Sequence, residues 1–213
     1  MNATPDRDNG TGWRMLVAGT GGQGVLTAAR LLCDWLVDRG HSVVSGQLHG
    51  MAQRGGSVQS SVLVDCGISP VMPRGRADYV LGFEPVEAAR ALPFMSSRTV
   101  VYVNTAPVIP YVLAQRSVRD GTEAKYPDPK ELADAIRAVT PHLFTFDATE
   151  RAVEAGSAAT LNMIMVGCLL GSGLLPHTAD SFWTLVSNKM RQDLMDVNQR
   201  AFSSGVELGR RLQ

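Results

Sequence analysis

The chain has 213 residues, 45% of them hydrophobic and 19% charged, which suits one substantial core with room for an appended helical piece. Lys plus Arg and Asp plus Glu both number 20, so no basic excess exists to draw a polyphosphate backbone, and this argues against a nucleic-acid partner. The three cysteines, Cys33, Cys66 and Cys168, are far apart with no C-x-x-C pair, which argues against a self-contained iron–sulfur cluster and fits a reducing compartment.

Residues 1–12 (MNATPDRDNGTG) are polar, lack the apolar stretch of a signal peptide and are expected to form a flexible tail. WRMLVAG (13–19) predicts a short buried strand running straight into glycine. From Gly22 a helix is predicted, with Val25, Ala28, Ala29, Leu32 and Leu36 on one face and Arg39-Gly40 closing it. HSVV (41–44) predicts a brief second strand, GQLHGMAQRGG (46–56) a long glycine-rich loop, and SVQSSVLV (57–64) a β-branched strand.

ADYVLGF (77–83) and RTVVYVN (98–104) predict two central strands, with a helix opened by Glu84-Pro85 between them. Residues 105–128 read as irregular; Asp128-Pro129-Lys130-Glu131 then starts a helix with an N-cap aspartate. HLFTFDA (142–148) predicts another strand. AATLNMIMVGCLLG (158–171) is apolar nearly all round and predicts a buried helix, shorter than the roughly 20 residues of a membrane span. A last helix is predicted over roughly 181–212. The alternation gives an α/β fold: a Rossmann-like, doubly wound, mostly parallel sheet with helices on both faces and a helical C-terminal layer from about residue 149. Residues 13–213 are expected to form a single domain of a soluble, cytoplasmic protein with no membrane partner.

Gly19, Gly21 and Gly24 spell G-x-G-x-x-G between the first strand and helix, where backbone N–H groups and a helix dipole meet an anion. A nicotinamide or flavin site also needs an acid about 20 residues on to hold the ribose. That stretch reads VVSGQLHG (43–50), with no acid and no arginine before Arg54. Two readings stand: glycines for close helix–strand packing, or an anion cradle in which Gln23 presents a polar group to the crevice. A second loop, HGMAQRGGS (49–57), places His49, Gln53 and Arg54 among glycines at the carboxyl end of the second strand, the edge where ligands gather. His49 is open to a structural role and Arg54 to an ion pair. No G-x-S-x-G elbow and no H-E-x-x-H spacing among His41, His49, His142 and His177 supports nucleophilic or metal chemistry. Cys33 and Cys168 read as packing residues; Cys66, beside Gly67, is the one expected nearest the surface.

GTGGQGVLTAARLL (19–32), GQLHGMAQRGGSVQSSV (46–62), ADYVLGFEPVEAAR (77–90) and VVYVNT (100–105) together resemble the gamma domain of 2-oxoacid:ferredoxin oxidoreductases. HGMAQRGG favours the small (beta) subunit of the indolepyruvate branch, and NMIMVGCLLG (162–171) with NQRAFSSG (198–205) resembles the family's C-terminal region. The resemblance implies an accessory subunit of an enzyme that converts a 2-oxo acid plus coenzyme A to acyl-CoA, CO2 and reduced ferredoxin. It implies that thiamine diphosphate and iron–sulfur clusters reside on a catalytic partner subunit, through which ferredoxin is reached. It further implies that Gly21, Gly22, Gln23 and Gly24 face a phosphate group of coenzyme A, with Arg54 and Asn104 nearby. The candidate binding set is Gly19, Gly21, Gly22, Gln23, Gly24, His49, Arg54, Gly55, Gly56 and Asn104, with no catalytic or metal-ligating residue. The alternatives are a stand-alone coenzyme A- or nucleotide-binding module and a self-sufficient nicotinamide enzyme, the latter opposed by the missing ribose acid.

Overall fold

The computed structural model describes residues 12–49, 55–108 and 126–212. Residues 1–11 of the expected tail lie outside them. One six-stranded sheet in the order β2-β3-β1-β4-β5-β6 forms the centre. Its strands are β1 (Trp13–Thr20), β2 (Val43–His49), β3 (Ser57–Val64), β4 (Tyr79–Gly82), β5 (Val100–Asn104) and β6 (Leu143–Phe146). β1, β4, β5 and β6 run parallel, whereas β3 pairs antiparallel with both β1 and β2. The sheet is therefore mixed: three of its five pairings are parallel. All four residues of β4 and all five of β5 are buried, as expected of parallel strands covered on both faces.

The expected strand HSVV is too short. β2 continues through Gly46 to His49, inside the stretch the sequence assigns to a loop. Gly46 serves a close approach rather than a turn, since a Cβ there would lie 2.7 Å from Pro70 Cβ.

The helices are α1 (Val25–Asp38), α2 (Pro85–Arg90), α3 (Pro129–Arg137), α4 (Ala148–Glu154), α5 (Leu161–Gly171), α6 (Ala179–Lys189) and α7 (Gln192–Arg211). α1 ends where its sequence says it should: Gly40 at φ 87° lets His41 N–H reach back to Leu36 O and Gly40 N–H to Val37 O. Glu84 caps α2 by accepting from Glu87 N, and Asp128 caps α3 by accepting from Lys130 N. The single C-terminal helix expected over 181–212 is two. Met190 and Arg191 are extended (ψ 144° and 140°), which breaks the chain between α6 and α7.

Two cores flank the sheet. The smaller packs Ala88 of α2 and Ile136 of α3 on Leu16, Val80 and Val101. The larger joins the opposite sheet face to α1 and α4–α7, and it is continuous from Trp13 and Tyr79 to Phe182 and Phe202. Trp35 fixes this join, donating Nε1–H to Ser181 Oγ at 3.0 Å with its ring edge-on to Phe182. Every residue of α5 is buried. α5 and α7 touch backbone to backbone: Gly167 and Gly171 face Phe202 and Val206, while Gly205 and Gly209 face Ile164 and Cys168.

Candidate functional site

β1 leads through α1 towards β2 and β3 on one side, and β4 leads through α2 towards β5 and β6 on the other. The carboxyl ends of β1 and β4 therefore border the point where the winding reverses, the place where ligands bind in open α/β sheets. Four segments meet there: the turn Gly19–Gly24, the start of β3 at Gly55–Ser57, the Phe83–Pro85 turn, and the end of β5.

The two glycine loops that the sequence sets apart are joined directly. Gly21 N–H donates to Gly56 O at 2.8 Å, and Gly55 N–H donates to Gly21 O at 3.2 Å. The sheet register carries the same row outward, Gly19 opposite Val58 and Val58 opposite His49, so the backbone of His49 lies on the same edge. Arg54 falls outside the described residues.

Gln23, offered by the sequence as a polar group for the crevice, uses its amide within the fold. Its Oε1 accepts from Thr20 N at 2.8 Å and its Nε2 donates to Phe83 O at 2.9 Å, which ties the turn to β4. Asn104 is likewise engaged within the protein. Its side chain is fully buried; Nδ2 donates to Phe83 O (3.0 Å) and Thr149 Oγ1 (2.9 Å), while Oδ1 accepts from Ala148 N (2.9 Å). The Phe83 carbonyl thus accepts two amide donors, one from each neighbouring loop. Asn104 has both Nδ2 hydrogens and its Oδ1 engaged, whereas Gln23 spends one of its two hydrogens and one of its two lone pairs on these ties.

The glycines divide by cause. Gly19 is a packing glycine: a Cβ would sit 2.7 Å from both Phe83 Cβ and Val25 Cγ2. Gly22 has nothing within 4 Å but stands at φ 106°, so its backbone alone demands glycine. Gly24, at φ 82°, is the N-cap of α1. Gly22 is the exposed glycine of this turn and Gly24 is half-buried at the start of α1, with Gly21, Gln23, Gly55 and Gly56 tying the turn in place.

Two buried carboxylates at the same sheet edge, on the face that carries α2, escape the sequence reading. Glu84 and Glu87, 1% and 5% exposed, sit on the α2 side. Ser57 Oγ donates to Glu87, and Tyr126 OH donates to Glu84, whose Oε1 also accepts from Val108 N at 3.4 Å. Burial pushes the Glu87 carboxyl up and nearby Glu84 adds to this, opposed by Ser57 and Arg90. The signal was legible: two glutamates three apart, directly after an apolar strand at the edge where ligands gather. Among the described residues no group of three or more His, Cys, Asp or Glu could hold a metal ion. Cys168 is buried, and Cys33 and Cys66 are half-buried. No described helix is long and apolar enough to cross a membrane.

Residues 14–208 match the family model of pyruvate ferredoxin/flavodoxin oxidoreductase. The chain is 36% identical over 191 residues to the indolepyruvate oxidoreductase subunit IorB of Archaeoglobus fulgidus, covering 90% of this chain and 92% of that protein. In fold it is similar to the gamma subunit of a keto/oxoacid ferredoxin oxidoreductase from Geobacter sulfurreducens, with TM-score 0.64 and 17% identity over 93% of this chain and 99% of that one. It is also similar to the 2-oxoglutarate:ferredoxin oxidoreductase of Magnetococcus marinus, with TM-score 0.69 and 15% identity. There, 95% of this chain corresponds to 32% of a larger chain.

Proposed function

Since the chain belongs to the pyruvate ferredoxin/flavodoxin oxidoreductase family, we propose that it is the accessory, gamma-type subunit of a cytoplasmic 2-oxoacid:ferredoxin oxidoreductase of the indolepyruvate or aryl-pyruvate type. The complex would convert a 2-oxo acid and coenzyme A, with two oxidised ferredoxins, to acyl-CoA, CO2, two reduced ferredoxins and a proton. The observation that carries this is the identity to a subunit IorB over nine-tenths of both chains.

The residues present do not suit the redox cofactors. A four-ligand iron–sulfur cluster needs more thiolates than three dispersed cysteines supply, and the chain has no GDG…N segment for thiamine diphosphate. Both groups belong to the catalytic partner subunit, and ferredoxin is reached through it. What this chain offers is a place for an anion. The N–H groups at Gly22, Gly24 and the first turn of α1, at the positive end of a 14-residue helix, suit a phosphate of coenzyme A. His49 and Arg54 of the second loop belong to the same reading. Gln23 and Asn104 hold the loops in position, and Gly19, Gly21, Gly55 and Gly56 shape them.

An anaerobic affinity purification of the tagged chain from its host tests the subunit role. The expected eluate is brown, contains a larger cysteine-rich partner, and reduces a viologen dye only with a 2-oxo acid and coenzyme A. A colourless, partner-free and inactive chain overturns it in favour of a stand-alone binding module.

A further inference from the structure

Helix α1 opens with neither a capping side chain nor an acidic residue in its first turn. Helices α2, α3, α4 and α6 each have both. The first N–H groups of a helix have no partner within it, so the start of α1 is left with uncompensated positive potential. A second and independent feature lies against it. Asn162, on the first turn of α5, is only 8% exposed, and its side-chain amide has no hydrogen-bond partner among the described residues. Its side chain packs on Gly24: a Cβ placed on that glycine would lie 3.1 Å from Asn162 Cβ, 3.2 Å from Cγ and 3.4 Å from Nδ2. Every fully buried side-chain polar atom among the described residues has a partner. The trace of exposure that Asn162 retains therefore includes its amide.

An amide left with a sliver of solvent and no protein partner is a cost that leucine at this position would not carry. Asn162 is also the one strongly polar side chain in LNMIMVGCLLG, a helix otherwise devoted to the core. Core packing accounts for its neighbours and not for it. Glu84 and Glu87 do not face it, because they lie with α2, and α2 packs on the opposite face of the sheet from α1 and α5.

We propose that Asn162 is a ligand-positioning residue, donating its Nδ2–H to a phosphoryl oxygen of the anion cradled at the start of α1. The ligand is then gripped from two elements, the backbone of the β1–α1 turn and a side chain of α5. An uncharged donor orients the phosphoryl group without adding charge. This assignment rests on the phosphate-cradle reading above and adds a specificity determinant to it.

The test is calorimetric titration of the full chain with coenzyme A and, separately, inorganic pyrophosphate, for wild type, N162A and N162D. Ligand-free circular dichroism and melting confirm that each variant is folded. Wild type is expected to bind coenzyme A, and pyrophosphate binding in addition would show that the phosphoryl group alone suffices. N162A should weaken binding by about tenfold, the loss of one hydrogen bond to a charged group. N162D keeps the shape but places a carboxylate against the anion, and should weaken it further. Wild-type affinity in folded N162D overturns the role of Asn162 while leaving the cradle standing. Failure of wild type to bind either ligand overturns both.

Discussion

Replacing Asn104 by Leu would take the partner from Thr149 Oγ1 and from the N–H groups of Ala148 and Thr149, and would leave the Phe83 carbonyl with Gln23 as its one side-chain donor. Leaving buried polar groups unpaired is expected to cost about 2–4 kcal/mol, read by urea unfolding. Because Gln23 shares the same acceptor, Q23A and N104A should couple by more than about 0.5 kcal/mol in a double-mutant cycle. Far from this site, His41 links Asp65 to His177. Its Nδ1 is 2.6 Å from Asp65 Oδ2 and its Nε2 is 2.6 Å from His177 Nε2, so one imidazole must donate to the other. Burial, with the His41 and Arg39 charges, lowers the His177 pKa from its ordinary 6.5. The unfolded chain therefore binds more protons just below that pH, and stability falls as pH drops through it. Asp65, held low chiefly by its hydrogen bond from His41, adds a second loss below the ordinary carboxylate range. H177Q should flatten the decline of Tm below about pH 6.5. A variant that tracks wild type there would show that the link does not titrate. The sequence shows that Gln23 and Asn104 are polar residues at the right edge. It does not show their partners, because Phe83 and Thr149 lie 60 and 45 residues away from them.

The α5–α7 contact belongs to the scale of elements. Glycines four apart on both helices bring the backbones together, so G205A or G171A drives a methyl group onto a carbonyl that cannot move aside. Each is expected to cost about 3 kcal/mol or more, whereas G22A, strained only by its positive φ, should cost about 1–2 kcal/mol. Comparable urea midpoints for the two sites would refute the close-packing account. Strands β1, β3, β4, β5 and β6, the start of α2 and the cap of α3 were legible from apolar runs and from Glu84-Pro85 and Asp128-Pro129. The length of β2 was not, because Gly46 reads as a turn residue while its cause is Pro70, 24 positions on. The break at Met190 was also hidden. Apolar spacing continues across it, and only the backbone reverses to extended there.

For the whole molecule, the C-terminal helices form a layer that shares one core with the sheet. Trp35 reaches Ser181, and Tyr79 OH donates to Leu174 O, so sheet and helices cannot separate without exposing the core they share. We therefore expect residues 13–213 to unfold as one unit, with calorimetric and van't Hoff enthalpies equal; two transitions would place a boundary near residue 149. The correspondence of 95% of this chain to a third of a longer one fits a unit that is compact by itself. Phe83 has a consequence for anyone who would move this loop. Its carbonyl fixes GTGGQG from outside, so the six letters grafted onto another strand–helix junction would arrive without their shape. A transplant would have to bring the end of β4 and an asparagine at the end of β5 along with them.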